Sequence, residues 1–552
     1  MLASPSPLSG LLERIAWAVA LLAGVLPLWA GRHLPMVDLP QHLHLISVLH
    51  RLGDPTTLYP TVFAARGELT PYLGYYHLVS LLHWLVPLDV ANKLFLSAYV
   101  MGLPLSLAFL LRSVRRPTWP ALLAVPFAFG DSFAWGFVNY ISSLPLTFLT
   151  AGLFVRAISD ADARRRWRWA AGLAVSLCAV LLFHVQAFVF LGIALPLLLV
   201  TTRAPADSAP RNEGDGWLDA VLRSRAAALV GVLPGVALFI AWFGGRLGEP
   251  AEIAPGEPWK AWGPMFSPQN LAWKSREQNV RELPQVLANM LPGGEDRWGI
   301  WAVVVIVALS GIAALVAFAL RKSRGVSETS SSDHREGPVE RWRLLALAAV
   351  ALGLYFLLPF DIRGYIYYLN TRYAHLAAPL LAAALVPSLP VRWRGPFALA
   401  AAVAALLTAV PLARAFRTFD AEMADVDAVA RAARPKTLVM GLIYDPRSRA
   451  VNHPVFIHSA AEVARIAGGA ANFSFALTPH SPLRYAGPPP PTFPSEWRPH
   501  ELNWERQAVA YDHFLLRGRH PAQVFGPRFG TEVTLTAERR GVYLLSRHAP
   551  RR

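Results

Sequence analysis

The chain has 552 residues, is 54% hydrophobic and only 16% charged, and carries a formal net charge of +16. Soluble proteins of this length are roughly a quarter charged, so an ordinary soluble globular protein is excluded. A single cysteine, Cys178, excludes disulfides and cysteine-based metal sites.

Taken in chain order, the apolar runs predict eleven membrane spans, at about 11–31, 91–112, 119–131, 139–158, 169–183, 185–202, 226–243, 298–320, 344–359, 372–389 and 395–414. Most approach the ~20 residues a helix needs to cross the hydrocarbon core. The first run follows Arg14 and lacks a good cleavage signal, so it reads as an uncleaved first helix. The loop 32–90 then holds two amphipathic stretches, Asp38–Leu52 and Tyr75–Pro87, too short or too polar to span and suited to lying along the interface.

The basic charge follows the loops. Arginines gather at Arg112, Arg115 and Arg116, at Arg164, Arg165, Arg166 and Arg168, at Arg203, Arg211, Arg223 and Arg225, at Arg321, Arg324, Arg341 and Arg343, and at Arg392 and Arg394. Every alternate loop is therefore arginine-rich, as cytoplasmic loops are. The pattern predicts a cytoplasmic N-terminus and an extracytoplasmic C-terminus, and it explains the charge without a nucleic-acid partner. Merging 169–202 into one span would put the later arginines outside, so two spans are read there. Within the cytoplasmic loop 321–343, the Ser- and Glu-rich stretch 326–338 reads as disordered.

The tail offers β-like runs at Thr437–Tyr444, Phe473–Leu477, Tyr511–Arg517, Thr531–Ala537 and Val542–Arg547, separated by helical and Pro-rich stretches. The expected fold is an all-α polytopic membrane protein, residues 1–414, followed by a small extracytoplasmic α/β domain, residues 415–552.

Chemistry is concentrated in two loops on the extracytoplasmic side. In the first, Asp38 can serve as a general base at the membrane–water boundary. Followed by Pro40, it is also a good helix start. His42, four residues on, would share its helical face and, with a further ligand, could hold a metal. The other reading of His42, His44 and His77 is as solvated interfacial side chains. In the second loop, Arg363, Arg372 and Tyr373 lie among tyrosines. A guanidinium forks onto phosphate oxygens, although an aromatic belt with a snorkelling arginine has the same composition. Asn139 and His184 are polar groups near the same boundary, suited to a cavity or to helix packing. The loop 244–297 adds Trp259, Lys260, Trp262, Trp273 and Lys274, which suit sugar stacking or interfacial anchoring.

This layout resembles the GT-C superfamily of polytopic glycosyltransferases. The resemblance is carried by Val37-Asp38-Leu39-Pro40 after the first span, by Pro71-Tyr72-Leu73-Gly74-Tyr75-Tyr76-His77-Leu78 in the first outer loop, by Arg372-Tyr373 followed by Pro379, and by the C-terminal outer domain. It covers residues 11–414 as architecture. It implies a sugar donor carried on a polyprenyl phosphate and transfer on the extracytoplasmic side. Asp38 then stands at the position of the first-loop catalytic acid, and Arg372 near the donor phosphate. Many members carry two adjacent acids in that loop; here Leu39 follows Asp38, and Asp54 and Glu68 are the other acids available. No cofactor follows with certainty, and a divalent metal is left open.

The expected function is hexosyl transfer at a bacterial-type inner membrane, from a lipid-phosphate-linked sugar to a glycan, lipid or protein acceptor, with Asp38 as base. The alternatives are a transporter or flippase of lipid-linked sugars, or an inactive GT-C-like scaffold.

Overall fold

A computed structural model of the chain describes residues 7–203, 205, 217–247, 267–323, 338–363, 366–478, 480–493 and 495–548. The chain enters through α1 (Pro7–Val25), an apolar helix continued by a 3₁₀ turn at Leu26–Trp29. The first loop folds as α2 (Leu39–His50), α3 (Tyr59–Val62), β1 (Phe63–Ala65) and α4 (Gly74–His83). There follow α5 (Leu88–Ser113), a 3₁₀ run at Trp119–Phe129, α6 (Asp131–Trp135), α7 (Val138–Ser159), α8 (Ala163–Phe183), α9 (Val185–Thr201) and α10 (Trp217–Leu247). The bundle closes with β2 (Leu271–Ala272), α11 (Arg276–Leu287), α12 (Trp298–Ser323), α13 (Pro338–Leu357), β3 (Asp361–Ile362), α14 (Thr371–Leu385) and α15 (Val391–Ala430).

Each predicted span coincides with one of these helical elements, and seven are long and apolar enough to cross a membrane by themselves. The third is a 3₁₀ run because Pro120 and Pro126 remove backbone donors from it; all its residues are buried among neighbouring helices. His184 adopts an extended backbone that separates α8 from α9, so residues 169–202 form two helices. Residues 326–337 of the expected disordered loop, and Trp259, Lys260 and Trp262, lie outside the described residues.

The first loop departs from the expectation in one respect. α4 does expose an apolar face, with Leu81, Trp84 and Leu85 just beyond it open to the surroundings. α2 is instead buried from Gln41 to Val48, because a C-terminal sheet region lies over it. Hydropathy registers an apolar face and is blind to whether lipid or protein covers it.

That sheet has five strands in the order β5 (Ala470–Ala471), β4 (Leu438–Ile443), β7 (His513–Arg517), β9 (Val542–Arg547), β8 (Val533–Arg539). β4 runs parallel to both β5 and β7, and the β4-to-β5 crossover is α16 (Ser459–Ala467). The β9 pairings are antiparallel. Successive residues alternate between two cores, as strand pleating requires. Val439, Ile443 and Leu515 join Phe419, Met423 and Val426 of α15, whereas Met440, Leu442, Phe514 and Leu516 pack with Tyr511 and Phe525. Position 415, where the sequence reading begins the outer domain, lies inside α15. The expected strand Phe473–Leu477 does not form; Phe475–Leu477 is a 3₁₀ turn, capped by the Ser474 hydroxyl, which accepts the Ala476 N–H. A further short strand, β6 (Leu483–Tyr485), pairs with β1 and ties the sheet region to the first loop.

An ion-pair clasp fastens the same junction. Arg32 bonds Asp89 at 2.7 Å and Asp427 of α15 at 2.8 Å, and His33 meets Asp420 at 2.8 Å and Asp427 at 3.4 Å. The Asp427 side chain is only 5% exposed, so deleting it leaves two donors facing no acceptor. Asp427→Ala is expected to cost about 2 kcal/mol, less than a fully buried pair because Arg32 is half-exposed. Thermal unfolding in detergent measures this, and an unchanged midpoint would refute the clasp.

Candidate active site

Asp38 occupies the N-cap position of α2. Its carbonyl accepts the His42 N–H at 3.1 Å, but its carboxylate makes no capping bond. The backbone starts the helix, and the side chain is left for other work. The Asp38 N–H donates to the Trp135 carbonyl at 3.0 Å, which brings in Trp135-Gly136-Phe137 at the end of α6. Gly136 has φ +87°, and a Cβ there would lie 2.9 Å from the Asp38 nitrogen. Only glycine tolerates both the left-handed backbone and the close approach.

The neighbouring Phe137 ring lies 4.4 Å from the Arg372 guanidinium at the start of α14. Nη1 of Arg372 donates to Gln186 Oε1 at 2.8 Å and lies 3.1 Å from His184 Nε2; Nη2 donates to the Tyr367 carbonyl at 3.3 Å. The Tyr140 hydroxyl donates to the Arg372 carbonyl. Nε of Arg372 is buried and unpartnered. His184 Nδ1 accepts the Gln186 N–H at 3.2 Å, so a neutral ring carries its proton on Nε2. Two donors then face one another, an arrangement completed by an anion that accepts from both. Asp38 is near enough for its charge to act on Arg372. Tyr368 packs on Trp135 and Phe137. Burial, then the charges of Asp131, Asp361 and Asp38, push its hydroxyl up to about 12.

The sheet region contributes a partner to Asp38 that the sequence reading missed. His458 Nε2 lies 3.3 Å from Asp38 Oδ1, and Nδ1 lies 2.9 Å from Glu496 Oε2. His458 stands at the start of α16, on the loop leaving the carboxyl end of β4, where parallel sheets commonly present functional groups. Burial opposes a charge on the ring, but the Glu496 and Asp38 carboxylates outweigh it and push its pKa up to about 10. On the same loop His453 meets Asp131 at 2.8 Å. No local pattern marks these residues, since Asp38 and Asp131 lie hundreds of positions away in the chain and Glu496 38 positions away.

The remaining candidates separate. His42 is buried, with Nδ1 2.7 Å from the Tyr76 hydroxyl and Nε2 3.1 Å from the Gly136 carbonyl. Burial takes its pKa down to about 4. His44 is buried too, bonded to the Gly469 carbonyl at 3.0 Å, and burial likewise brings it down to about 4. Neither is solvated, and His42 has no nitrogen free to share a metal with Asp38. Tyr373 is buried beside Gln186, 3.5 Å from its carbonyl. Asn139 accepts the Tyr75 N–H at 3.1 Å and anchors the first turn of α4. Arg363 is exposed beside β3, Glu68 is exposed 3.7 Å from Arg66, and His77 is exposed on α4. Among the described residues, no hydrogen bond or ion pair joins these last three to Asp38 or Arg372.

One trio of potential metal ligands, His33, Asp427 and Glu462, has its ligand atoms within 4.8 Å. Its carboxylates are already engaged, Asp427 by Arg32 and Glu462 by two bonds from Arg465 at 2.8 and 2.5 Å. That set suits an ion-pair network better than a cation.

No protein-family model matches the chain, and no curated protein does. Solved structures do. ArnT from Cupriavidus metallidurans, bound to undecaprenyl phosphate, matches with a TM-score of 0.53 at 11% identity, over 96% of this chain and 97% of that one. The arabinofuranosyltransferase AftD from Mycobacteria matches with a TM-score of 0.49 at 12% identity, over 98% of this chain but 40% of its own length. At such identity the first of these likenesses establishes the fold. The chain is an integral membrane protein with a GT-C-like fold.

Two outcomes follow from the geometry. Gly136→Ala forces the backbone away from Asp38 and is expected to cost about 1–3 kcal/mol, read as a lower unfolding midpoint in detergent. His458 has a folded pKa raised above its unfolded 6.5 to about 10. Its stabilisation is therefore complete below pH 6.5 and is lost as pH rises through 10. The unfolding midpoint should fall over that window, and Glu496→Gln should flatten the fall; equal slopes in both proteins would contradict the charged ring.

Proposed function

We propose that this protein is a glycosyltransferase that moves a sugar from a polyprenyl-phosphate donor to an acceptor hydroxyl on the extracytoplasmic face of a bacterial-type inner membrane. The observation that carries the reading is the segment Trp135-Gly136-Phe137, which holds the Asp38 backbone on one side and packs under Arg372 on the other. A base and a phosphate-binding cation are thereby joined through three residues. The fold likeness to ArnT bound to undecaprenyl phosphate supports the donor class.

In this mechanism the acceptor oxygen attacks the anomeric carbon as the bond to the phosphate oxygen breaks, inverting the configuration. Asp38 takes the hydroxyl proton as that oxygen loses its electron density to the new bond. The departing polyprenyl phosphate gains charge, which Arg372 and the Nε2 proton of His184 stabilise in a site largely screened from water. The donor-to-donor contact between those two side chains is relieved when phosphate lies between them. The Tyr367 carbonyl accepts from Arg372 Nη2, and Tyr368 packs on the Trp135-Gly136-Phe137 segment beside it.

Asp38→Asn should lower transfer from polyprenyl-phosphate-linked sugars by about 100-fold or more while leaving binding of undecaprenyl phosphate intact. Arg372→Gln should weaken that binding about tenfold or more. Native mass spectrometry of the purified protein with undecaprenyl phosphate, beside a transfer assay in membrane vesicles, separates the two effects. Undiminished transfer by Asp38→Asn would eliminate the base. Movement of a lipid-linked sugar across liposomes with no glycosidic bond formed would favour a flippase.

A further inference from the structure

The carboxylate of Asp38 needs something to hold it, since it does not cap its own helix. Among the described residues its ion-pair partner is His458, which approaches Oδ1 and leaves Oδ2 without a recorded partner. The Asp38 side chain is 19% exposed, so one edge of the carboxylate remains open. We propose that the C-terminal sheet region completes the active site, with His458, fixed by Glu496, as a positioning residue that occupies one oxygen of Asp38 and turns the other toward the acceptor hydroxyl. This inference rests on the reading of Asp38 as the base.

The ring of His458 is held more firmly than docking alone requires. Glu496 engages Nδ1, Phe473 stacks on the ring at 5.7 Å with planes 11° apart, and Phe475 meets it edge-on at 5.8 Å. With Asp38, three separate stretches of chain converge on a single imidazole. The second bridge between the same loop and the membrane helices, His453 to Asp131, is built more simply, and His453 Nδ1 is buried without a partner. Both bridges tie the sheet region down, but only His458 is fixed through both ring nitrogens and points at Asp38.

Placing a ring between two carboxylates requires a proton on each nitrogen. The groups facing His458 are Asp38 ahead of α2, Glu496 in the segment after β6, and His42 on α2, which stays neutral. His458 therefore holds both protons while Asp38 is ionised, and Glu496 still supports its charge once Asp38 is protonated. The acceptor's proton goes to the free oxygen of Asp38 and from there to water after the product leaves. His458 neither gives nor takes a proton; it fixes a direction and a charge.

Full-length protein in detergent micelles, labelled at histidine, reports ring protonation by NMR, and His458 is the signal lost in His458→Gln. In the wild type this ring should remain an imidazolium at pH 9, and it should titrate at lower pH in both Glu496→Gln and Asp38→Asn. A titration unchanged by Asp38→Asn overturns the pairing whatever the protein's activity, which separates that failure from a failure of the glycosyltransferase reading. In the transfer assay, Glu496→Gln and His458→Gln should each lower kcat about tenfold or more, while affinity for undecaprenyl phosphate changes less than about twofold. Loss of turnover and of undecaprenyl phosphate binding in equal measure would reduce His458 to a docking contact and overturn the proposal. Glu496→Gln retains the ring and its packing, so the test stands even if His458→Gln folds poorly.

Discussion

The forty-residue helix α15 governs the arrangement of everything around it. At 1.5 Å per residue the helix is about 60 Å long, twice the thickness of a hydrocarbon core. Its first half packs against α1 inside the bundle, and its last turns supply Phe419, Met423 and Val426 to the core under the C-terminal sheet. A helix shared by two cores permits little hinging between them even at Pro411, where one backbone hydrogen bond is already missing, because bending it would expose one core or the other. Val37 joins that second core, so the residue next to Asp38 is packed into the sheet region. The clasp of Arg32 and His33 on Asp420 and Asp427 locks the sequence between α1 and α2 to the same helix. Asp38 is thus placed from both sides by structure that α15 organises.

Electrostatics follow from that placement. Asp38, Asp131, Glu496, His453 and His458 lie at the seam between helices and sheet, each mostly withdrawn from water. An isolated charge in such a place is costly, so each carboxylate is matched with an imidazole. Arg372, a few residues away in space, is handled differently. It is surrounded by aromatic faces and neutral acceptors, with no carboxylate bonded to it among the described residues. A cation cushioned by ring faces and left without a bonded counter-charge is what the proposed phosphate role of Arg372 requires.

The membrane part was readable because hydropathy and loop charge are local properties. The eleven helical elements, the break at His184 and the two chemically loaded loops all follow from runs of a dozen residues or so. Asp38 and Arg372 stood out because a charge near the end of an apolar run is rare enough to notice. What was not readable depends on contacts between distant residues. His458 reaches Asp38 across more than four hundred positions, and in the sequence it is one of 16 histidines. The burial of α2 was hidden because apolar residues look alike beneath lipid and beneath protein. Phe473–Leu477 has strand-like composition, yet Phe475–Leu477 is a 3₁₀ turn capped by a serine hydroxyl. Local β preference is weak, and tertiary context overrides it.

That Asp38 is followed by Leu39 and not by a second acid can be understood in these terms. Two adjacent carboxylates would bring two negative charges to one point, and a divalent ion or two cations would be needed to hold both ionised. One carboxylate needs one counter-charge. Here the chain itself supplies it as an imidazolium, carried in on the sheet region and sustained by a second carboxylate, Glu496, placed beyond it. Glu496 thus lies on the far side of the ring from Asp38, joined to it through His458. The compact ring, with donors on opposite edges, fits a carboxylate on each side and leaves the outer oxygen of Asp38 uncovered.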